Sequence, residues 1–294
     1  MSQKMMKARL HRSYTQAGMT LIELMVGILV GLLVIAVAGA ALMASRNVSQ
    51  SVSDNTFLQQ QASYIFRMIG QQVRQSGSLY LNLAVGKGNT DAIDPSDLVA
   101  FSPNALVYGP NATFPTIKGE QKTGSTSDSI SVAYQNYFES SYLSTDKISL
   151  LTDCQGVQPS AASNTQVINN TFSKINNNLS CTGVDGVTKS IAENISDFQV
   201  RYFVQTDAAA GSPKIQKVVA SAVTDWSNVF GVEVCMVLYG EQKSDIPSGS
   251  TYLGCDTTAP IDIGSTSTAV PSAEKGRLHM TFRNVYQLRS QGLV

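Results

Sequence analysis

The sequence contains very little histidine, and this limits the chemistry that it can support. His11 and His279 are its two histidines, and it has no Gly-x-Ser-x-Gly elbow, no phosphate-binding glycine loop and no Cys/His set at zinc spacing. Nucleophilic triads normally use histidine as their base. His279 alternates with Leu278 and Met280 on an expected strand, which indicates an exposed sheet residue. We therefore expect no enzyme, no cofactor and no metal.

Positive charge is not clustered along the sequence as it is in nucleic-acid-binding proteins. The 21 Lys and Arg residues balance the 21 Asp and Glu residues, and no basic stripe is present. We therefore expect no direct nucleic-acid binding. The local distribution is nonetheless asymmetric, because the basic residues at positions 4, 7, 9 and 12 all precede the first acidic residue, Glu23.

Long apolar runs are absent except for one, from Leu24 to Ala44, which contains no charge. A helix of that length, at about 1.5 Å per residue, just spans the roughly 30 Å hydrocarbon core of a bilayer. The run predicts one membrane anchor, followed by a soluble body. Basic residues before the span favour a cytoplasmic N-terminus, which places the body outside the inner membrane.

The four cysteines, Cys154, Cys181, Cys235 and Cys255, all lie in the body. An even number of cysteines in an exported chain indicates two disulfides, and three connectivities are open. We favour the pairing of sequence neighbours, Cys154 with Cys181 and Cys235 with Cys255. The alternative is that Cys235, which lies in an apolar strand, is a free buried thiol.

The segment before the apolar run does not fit an ordinary signal peptide, which is cleaved after its apolar stretch. Here a small residue, Gly18, precedes the run. The residues Met19-Thr20-Leu21-Ile22-Glu23 lie between Gly18 and the start of the run at Leu24. This segment resembles the prepilin leader shared by type IV pilins and the pseudopilins of type II secretion. The resemblance implies cleavage after Gly18 by a prepilin peptidase, methylation of Met19 and retention of the apolar helix.

Glu23 is unusual because it is a carboxylate at the edge of an apolar helix. Such a group costs about 2.5–3.5 kcal/mol on insertion scales and normally has a partner. The resemblance implies that Glu23 pairs with the N-terminal amine of an adjacent subunit during assembly. The alternative is a carboxylate close enough to the lipid headgroups to stay hydrated.

The rest of the chain predicts an α+β protein. Residues 47–74 lack proline and carry apolar residues at spacings of three and four, starting at Val48 and Val52, which predicts an amphipathic helix that ends near Gly77. Gln72 belongs to its polar face. Period-two apolar runs then predict an antiparallel sheet with one buried face.

Four segments follow from these patterns. They are a leader at 1–18, a transmembrane and assembly helix at 19–45, an amphipathic half of the same helix at 46–76, and a periplasmic head at 77–294. The fold class is α+β, with one long N-terminal helix packed on an antiparallel sheet.

The second half of the chain carries a further resemblance. The segments AENISDFQVRY at 192–202, DWSNV at 225–229 and FRNVYQLR at 282–289 occur in an order similar to that of PilW-type minor pilins. We expect Trp226 to pack in the core. Ala40 lies where many major pilins carry a helix-kinking proline, which also favours a minor subunit.

The resemblance implies a subunit that helps to prime type IV pilus assembly in a tip complex, and so supports piliation, twitching motility and DNA uptake. Its partners would be the major pilin, other minor pilins, the prepilin peptidase, the inner-membrane assembly platform and membrane lipid. It would be a single-pass inner-membrane protein and later part of the surface pilus. Alternatives are a J-type pseudopilin of type II secretion, a single-span receptor or adhesin anchor, and a membrane-anchored periplasmic hydrolase.

Overall fold

The computed structural model describes residues 18–83, 85–86, 96–102, 114–121, 127–142, 144–160, 167–206, 214–243, 246–247, 249–256 and 259–288. Of the expected leader, only Gly18 lies within these residues. The chain divides into two units, Met1–Gln50 and Ser51–Val294.

One helix, α1, spans Leu21–Gln75. It contains no proline, so its hydrogen-bond ladder is not interrupted. In the second unit, a stripe of fully buried side chains runs along it at steps of three and four residues. The stripe consists of Leu58, Ala62, Ile65, Ile69 and Val73.

The prediction that the buried stripe begins at Val48 and Val52 was wrong. These side chains are 66% and 61% exposed. Among the side chains described on α1, the first buried one is instead Asp54, whose carboxylate accepts a hydrogen bond from the backbone N–H of Gln242 at 3.2 Å. Apolar spacing identifies the face of a helix that can be buried, but it does not show how far along the helix the sheet extends.

The helix ends where the chain adopts a left-handed conformation at Gly77, with φ of +73°. Its N–H donates to the carbonyl of Ala133 at 3.2 Å, and the Ser76 hydroxyl donates to the carbonyl of Thr116 at 2.5 Å. Glycine adopts this conformation without steric penalty, which is why it commonly follows a helix C-terminus.

Fifteen strands follow within the described residues. They are β1 Tyr80–Asn82, β2 Ala100–Ser102, β3 Ile117–Glu120, β4 Ser129–Gln135, β5 Phe138–Ser141, β6 Ser144–Ser149, β7 Val167–Ile175, β8 Asn178–Thr182, β9 Thr188–Ala192, β10 Ile195–Thr206, β11 Lys214–Val218, β12 Val229–Lys243, β13 Thr251–Tyr252, β14 Ile261–Asp262 and β15 Arg277–Gln287. Short 3-10 helices at Ala220–Ala222 and Trp226–Asn228 connect β11 to β12.

The strands form two main antiparallel sheets. The first sheet has the order β3-β4-β7-β8-β9, and the second has the order β11-β10-β12-β15. Three two-stranded ribbons, β1-β2, β5-β6 and β13-β14, complete the described strands. The α+β prediction, with one long helix and antiparallel sheets, is confirmed.

The inner faces of both sheets and the stripe on α1 form one apolar core. In the second sheet, Val200 and Tyr202 of β10 and Val234 and Met236 of β12 are fully buried, as their period-two spacing predicts. Trp226 is partly buried and packs edge-on against Tyr202, with ring centroids 4.9 Å apart. This position agrees with the expectation that Trp226 packs in the core.

The prediction of a single buried sheet face was wrong for the second sheet. Cys235, Val237 and Tyr239 point to the opposite face of β12 and are also buried. They are covered in part by the segment of residues 249–276, of which 257–258 lie outside the described residues. We call this segment the flap. Its Tyr252 and Cys255 pack with Cys235 and Val237 in a second, small apolar cluster.

A buried polar network joins α1 to the first sheet. The Tyr134 hydroxyl lies 2.8 Å from Gln72 Oε1 and 2.7 Å from the carbonyl of Thr152, and it can donate to either. Asn170 donates to Gln72 Oε1 at 2.9 Å and accepts from the N–H of Cys154 at 2.9 Å. The assignment of Gln72 to the polar face was therefore wrong. The Gln72 side chain points into the head, where its amide oxygen is hydrogen-bonded to Tyr134 and Asn170.

We predict that Tyr134→Phe destabilises the head by about 1–2 kcal/mol, because it removes the hydrogen that the Tyr134 hydroxyl donates to one of its two acceptors, Gln72 Oε1 and the carbonyl of Thr152. Urea unfolding of the full-length protein in detergent would measure the loss. Tyr142→Phe is a matched control, since Tyr142 is fully exposed. Equal stability of the two variants would contradict an energetic role for the network.

Candidate processing and assembly site

The expected cleavage point lies immediately before α1. Gly18, Met19 and Thr20 are exposed and have no regular secondary structure, and the helix begins at Leu21. A Cβ atom placed on Gly18 would have no neighbour within 4 Å. The fold itself therefore does not require glycine at this position.

Thr20 caps the helix, a role that we did not expect from the sequence. Its side-chain Oγ1 accepts a hydrogen bond from the N–H of Glu23 at 3.4 Å, and its carbonyl accepts from the N–H of Leu24 at 3.2 Å. Threonine followed three residues later by glutamate is the sequence signature of a capping box. The signal was therefore present in the sequence.

Glu23 lies in the first turn of α1 and its residue is exposed. A carboxylate there is favoured by the partial positive charge of the helix N-terminus. Among the described residues, Glu23 forms no ion pair.

The following part of α1 presents apolar side chains all around its circumference. Every large apolar side chain from Leu21 to Met43 is exposed. Among the described residues, α1 is the one helix long and apolar enough to cross a membrane. Exposure of so large an apolar surface is unfavourable in water, so this half of the helix needs lipid or other helices around it.

The four cysteines form two disulfides, Cys154–Cys181 and Cys235–Cys255, which close loops of 27 and 20 residues. This is the pairing of sequence neighbours. Cys235 is thus not a free thiol. On the chain-entropy model each loop of this size stabilises the fold by about 3 kcal/mol.

The expectation that His279 is an exposed sheet residue was wrong. Its side chain is fully buried beneath the flap, with Nε2 3.5 Å from Glu274 Oε2. The Ser196 hydroxyl donates to the same carboxylate oxygen at 2.5 Å. The sequence shows the alternation along β15, but not that the flap folds back over this face.

These three residues resemble the composition of a catalytic triad but not its geometry. In a triad the histidine contacts the nucleophile, which it deprotonates, and the carboxylate orients the histidine. Here the Ser196 hydroxyl contacts Glu274, and the second ring nitrogen of His279 faces the carbonyl of Arg277 at 2.9 Å. The arrangement therefore has no activated nucleophile. Within the described part of the chain, no group of three or more His, Cys, Asp and Glu residues is arranged to hold a metal.

Comparison with known families gives two matches. Residues 14–39 match the model of the prokaryotic N-terminal methylation motif, and residues 157–290 match that of the type IV pilus-assembly protein W. A solved type IV-like pilin from Thermus thermophilus is similar at 11% identity, covering 80% of this chain and 97% of its own, with a TM-score of 0.36. No curated protein sequence matches.

The methylation motif, the long N-terminal helix and the antiparallel head define a type IV pilin-like protein. Within that class, the two family matches support a PilW-type minor pilin of the type IV pilus. The matched regions include both the expected processing site and the whole of the second sheet.

We predict that Gly18→Val leaves an unprocessed precursor in cells, because a branched side chain beside the scissile bond obstructs the peptidase without disturbing the fold. Mass spectrometry of the purified chain would show the leader retained. Gly27→Val is the matched control, since a Cβ at Gly27 likewise has no neighbour within 4 Å. A mature N-terminus in the Gly18→Val protein would refute cleavage at this site.

Proposed function

We propose that this protein is an assembly subunit that helps to prime the type IV pilus, in a complex of minor pilins at its tip. The observation that carries the proposal is the first half of α1, which is apolar on all sides and carries one carboxylate in its first turn. A helix of this kind can be surrounded by lipid or by other apolar helices. Transfer between these two environments is the step that pilus assembly requires.

Glu23 would direct that transfer. Cleavage after Gly18 creates a positive amine on Met19, four residues before Glu23. In a staggered stack of helices, the Glu23 carboxylate of one subunit can lie beside the Met19 amine of the next. In an apolar medium the attraction between opposite charges is several-fold stronger than in water. The pair would therefore favour a fixed stagger between neighbouring helices.

The precursor would be held in the inner membrane by its apolar helix, with the basic leader in the cytoplasm and the head in the periplasm. Its partners would be the prepilin peptidase, the inner-membrane assembly platform, other minor pilins and the major pilin. The two disulfides suit an oxidising compartment. Piliation, twitching motility and DNA uptake would depend on the protein through the fibre that it helps to start.

A J-type pseudopilin of type II secretion would have the same precursor chemistry. Deletion in the native host separates the two functions when surface pili and secreted proteins are scored together, with the intact chain restored as a control. We expect loss of pili with normal secretion. Intact pili with a secretion defect would assign the protein to the secretion system.

We predict that Glu23→Gln is cleaved normally but enters pili at a level about tenfold below that of the wild type. Glutamine is also favoured at this position of a capping-box sequence but lacks the charge. Immunoblots of sheared pili and of membranes would measure incorporation, and the N-terminal mass would measure cleavage. Glu23→Asp, which retains the charge, is the matched control. Normal incorporation of Glu23→Gln would contradict the pairing of the Glu23 carboxylate with a neighbour's amine.

A further inference from the structure

The second sheet ends in an edge strand, β15, that differs from the other edge strands of the two main sheets. β3, β9 and β11 are four or five residues long, and each carries at least one lysine, a combination that protects an edge from pairing with another chain. β15 has 11 residues and contains neither lysine nor proline. Its register on β12 is regular from Gln287 to His279. It is therefore a longer and more regular template for strand pairing than the other three edges.

The hydrogen-bond ladder identifies the backbone groups of β15 that point away from β12. The N–H of Leu288 donates to the carbonyl of Phe230 at 2.9 Å and so continues the pairing of the two strands. Backbone groups alternate between the two sides of an antiparallel strand, so the even-numbered residues of β15 bond to β12 and the odd-numbered residues face away. The N–H of Val285 agrees with this, because it donates to the side-chain Oδ1 of Asn284 at 2.9 Å.

The outward-facing edge of β15 is open. Among the described residues, the backbone groups of Thr281, Arg283 and Gln287 make no hydrogen bond to another segment on this side. The flap contacts this part of the strand through side chains. The Thr281 hydroxyl donates to the carbonyl of Leu253, and the Arg283 guanidinium donates to a carbonyl at 2.9 Å, that of Cys255. Both side chains point to the outer face of the sheet, so the flap crosses that face and leaves the edge uncovered.

A row of half-covered apolar side chains lies beside this open edge. Leu278, Met280 and Phe282 point to the inner face of β15 and pack on the main core, but they are only partly buried. Their neighbours on β12, Leu238 and Met236, are fully buried, because β12 has a strand on each side. An added strand with apolar residues at every second position would cover this row while its backbone bonded to the edge.

The edge strand is held in place by the rest of the head. The Tyr286 hydroxyl donates to the carbonyl of Phe66 on α1 at 2.6 Å. The helix approaches this strand so closely that a Cβ atom on Gly70 would lie 2.6 Å from Tyr286 Cε1. Because β15 is fixed to α1 at this end and to β12 along its length, little of it has to be ordered when a partner binds.

Charge beside the edge indicates which kind of strand would pair with it. The Arg283 side chain is 44% exposed, and its ion-pair partner Glu233 is shared with Lys217. Two cations therefore share one carboxylate, which leaves an excess of positive charge on the outer face next to the edge. Acidic residues at the outer-facing positions of an added strand would be attracted to it.

A second copy of this chain does not supply such a strand. Its edge strands β9, β11 and β15 carry basic residues and no acidic ones, and like charges opposite each other on paired strands are destabilising. β3 carries one charge of each sign but has only four residues. The charges therefore favour a different protein as the partner.

We propose that the open edge of β15, from His279 to Gln287, is a docking site for an extended segment of another protein, with apolar residues at alternate positions and acidic residues between them. The segment would add one strand to the second sheet. Its backbone would bond to the outward-facing groups of β15, and its apolar side chains would cover Leu278, Met280 and Phe282. This docking concerns the head alone and does not depend on the proposed role in pilus priming.

A synthetic peptide tests this surface directly. The probe is a short fluorescent peptide in which valine alternates with threonine and glutamate, titrated against the full-length protein in detergent with anisotropy as the readout. We expect it to bind about tenfold more tightly than a peptide of the same composition whose order lacks the alternation. Equal binding of the two would overturn the proposal. A third peptide, with glutamine in place of glutamate, should bind more weakly, and equal or tighter binding would overturn the assignment of an acidic partner.

Val285→Pro removes one outward-facing donor but leaves the ladder to β12 intact, because proline is tolerated on an edge strand where its nitrogen faces away from the sheet. Val285→Thr is the matched control, since it keeps both the N–H and a branched side chain. We expect the affinity for the alternating peptide to be about tenfold lower in Val285→Pro than in Val285→Thr. Urea unfolding shows whether both heads are folded. Equal affinity in two folded variants would contradict docking at this edge.

Hydrogen exchange in the wild type decides the question without any substitution, and so also if Val285→Pro fails to fold. With the alternating peptide bound, exchange at the outward-facing N–H groups of Thr281, Arg283 and Gln287 should slow about tenfold. Exchange at Phe282 and Asn284, whose N–H groups already bond to β12, should not change. Protection confined to β9 or β11 would place the peptide at another edge and overturn the proposal.

Sedimentation of the full-length protein in detergent separates a different partner from a second copy. We expect the wild type and Val285→Pro to have the same association state, because β15 does not pair with itself. A dimer of the wild type that Val285→Pro dissociates would assign the edge to a second copy and overturn the proposal.

Discussion

The packing of one buried stripe on α1 against two antiparallel sheets is the interaction on which the head depends. Leu58, Ile65 and Ile69 are fully buried, and the inner strands of both sheets meet the same core. A sheet with one apolar face is not stable alone in water, and an amphipathic helix is equally dependent on a partner. The same helix continues into a segment that is apolar on all sides. One continuous helix therefore has a first half suited to an apolar environment and a second half packed in the head.

Burial of polar groups sets the precise arrangement of this core. Hydrogen bonds link Gln72 on α1 to Tyr134 on β4 and Asn170 on β7. The helix therefore cannot rotate or slide without leaving a buried polar group without a hydrogen bond. Asp54 acts in the same way on β12, where its carboxylate accepts from the N–H of Gln242. Apolar packing supplies most of the stabilisation, whereas these contacts favour the observed register of the helix on the sheets.

The two faces of the second sheet differ in what covers them. The inner face packs on α1 and the first sheet, and the outer face is covered in part by the flap, with one disulfide and a buried contact between His279 and Glu274. A covering held by a few polar contacts opens at lower free energy than a core of interlocking apolar side chains.

The sequence by itself determined the class of the fold, the membrane-spanning run and the position of Glu23 at its edge. Each of these follows from local spacing: an uncharged run of sufficient length, apolar residues three and four apart, and period-two alternation in β10 and β12. The sequence left three pairings of the cysteines open, and the tertiary structure pairs Cys154 with Cys181 and Cys235 with Cys255. Only the tertiary structure decided where the buried stripe on α1 begins, that Gln72 turns inward, and that the flap buries His279 against Glu274. These depend on contacts between residues far apart in the chain, and local periodicity carries no information about which distant segment covers a given face.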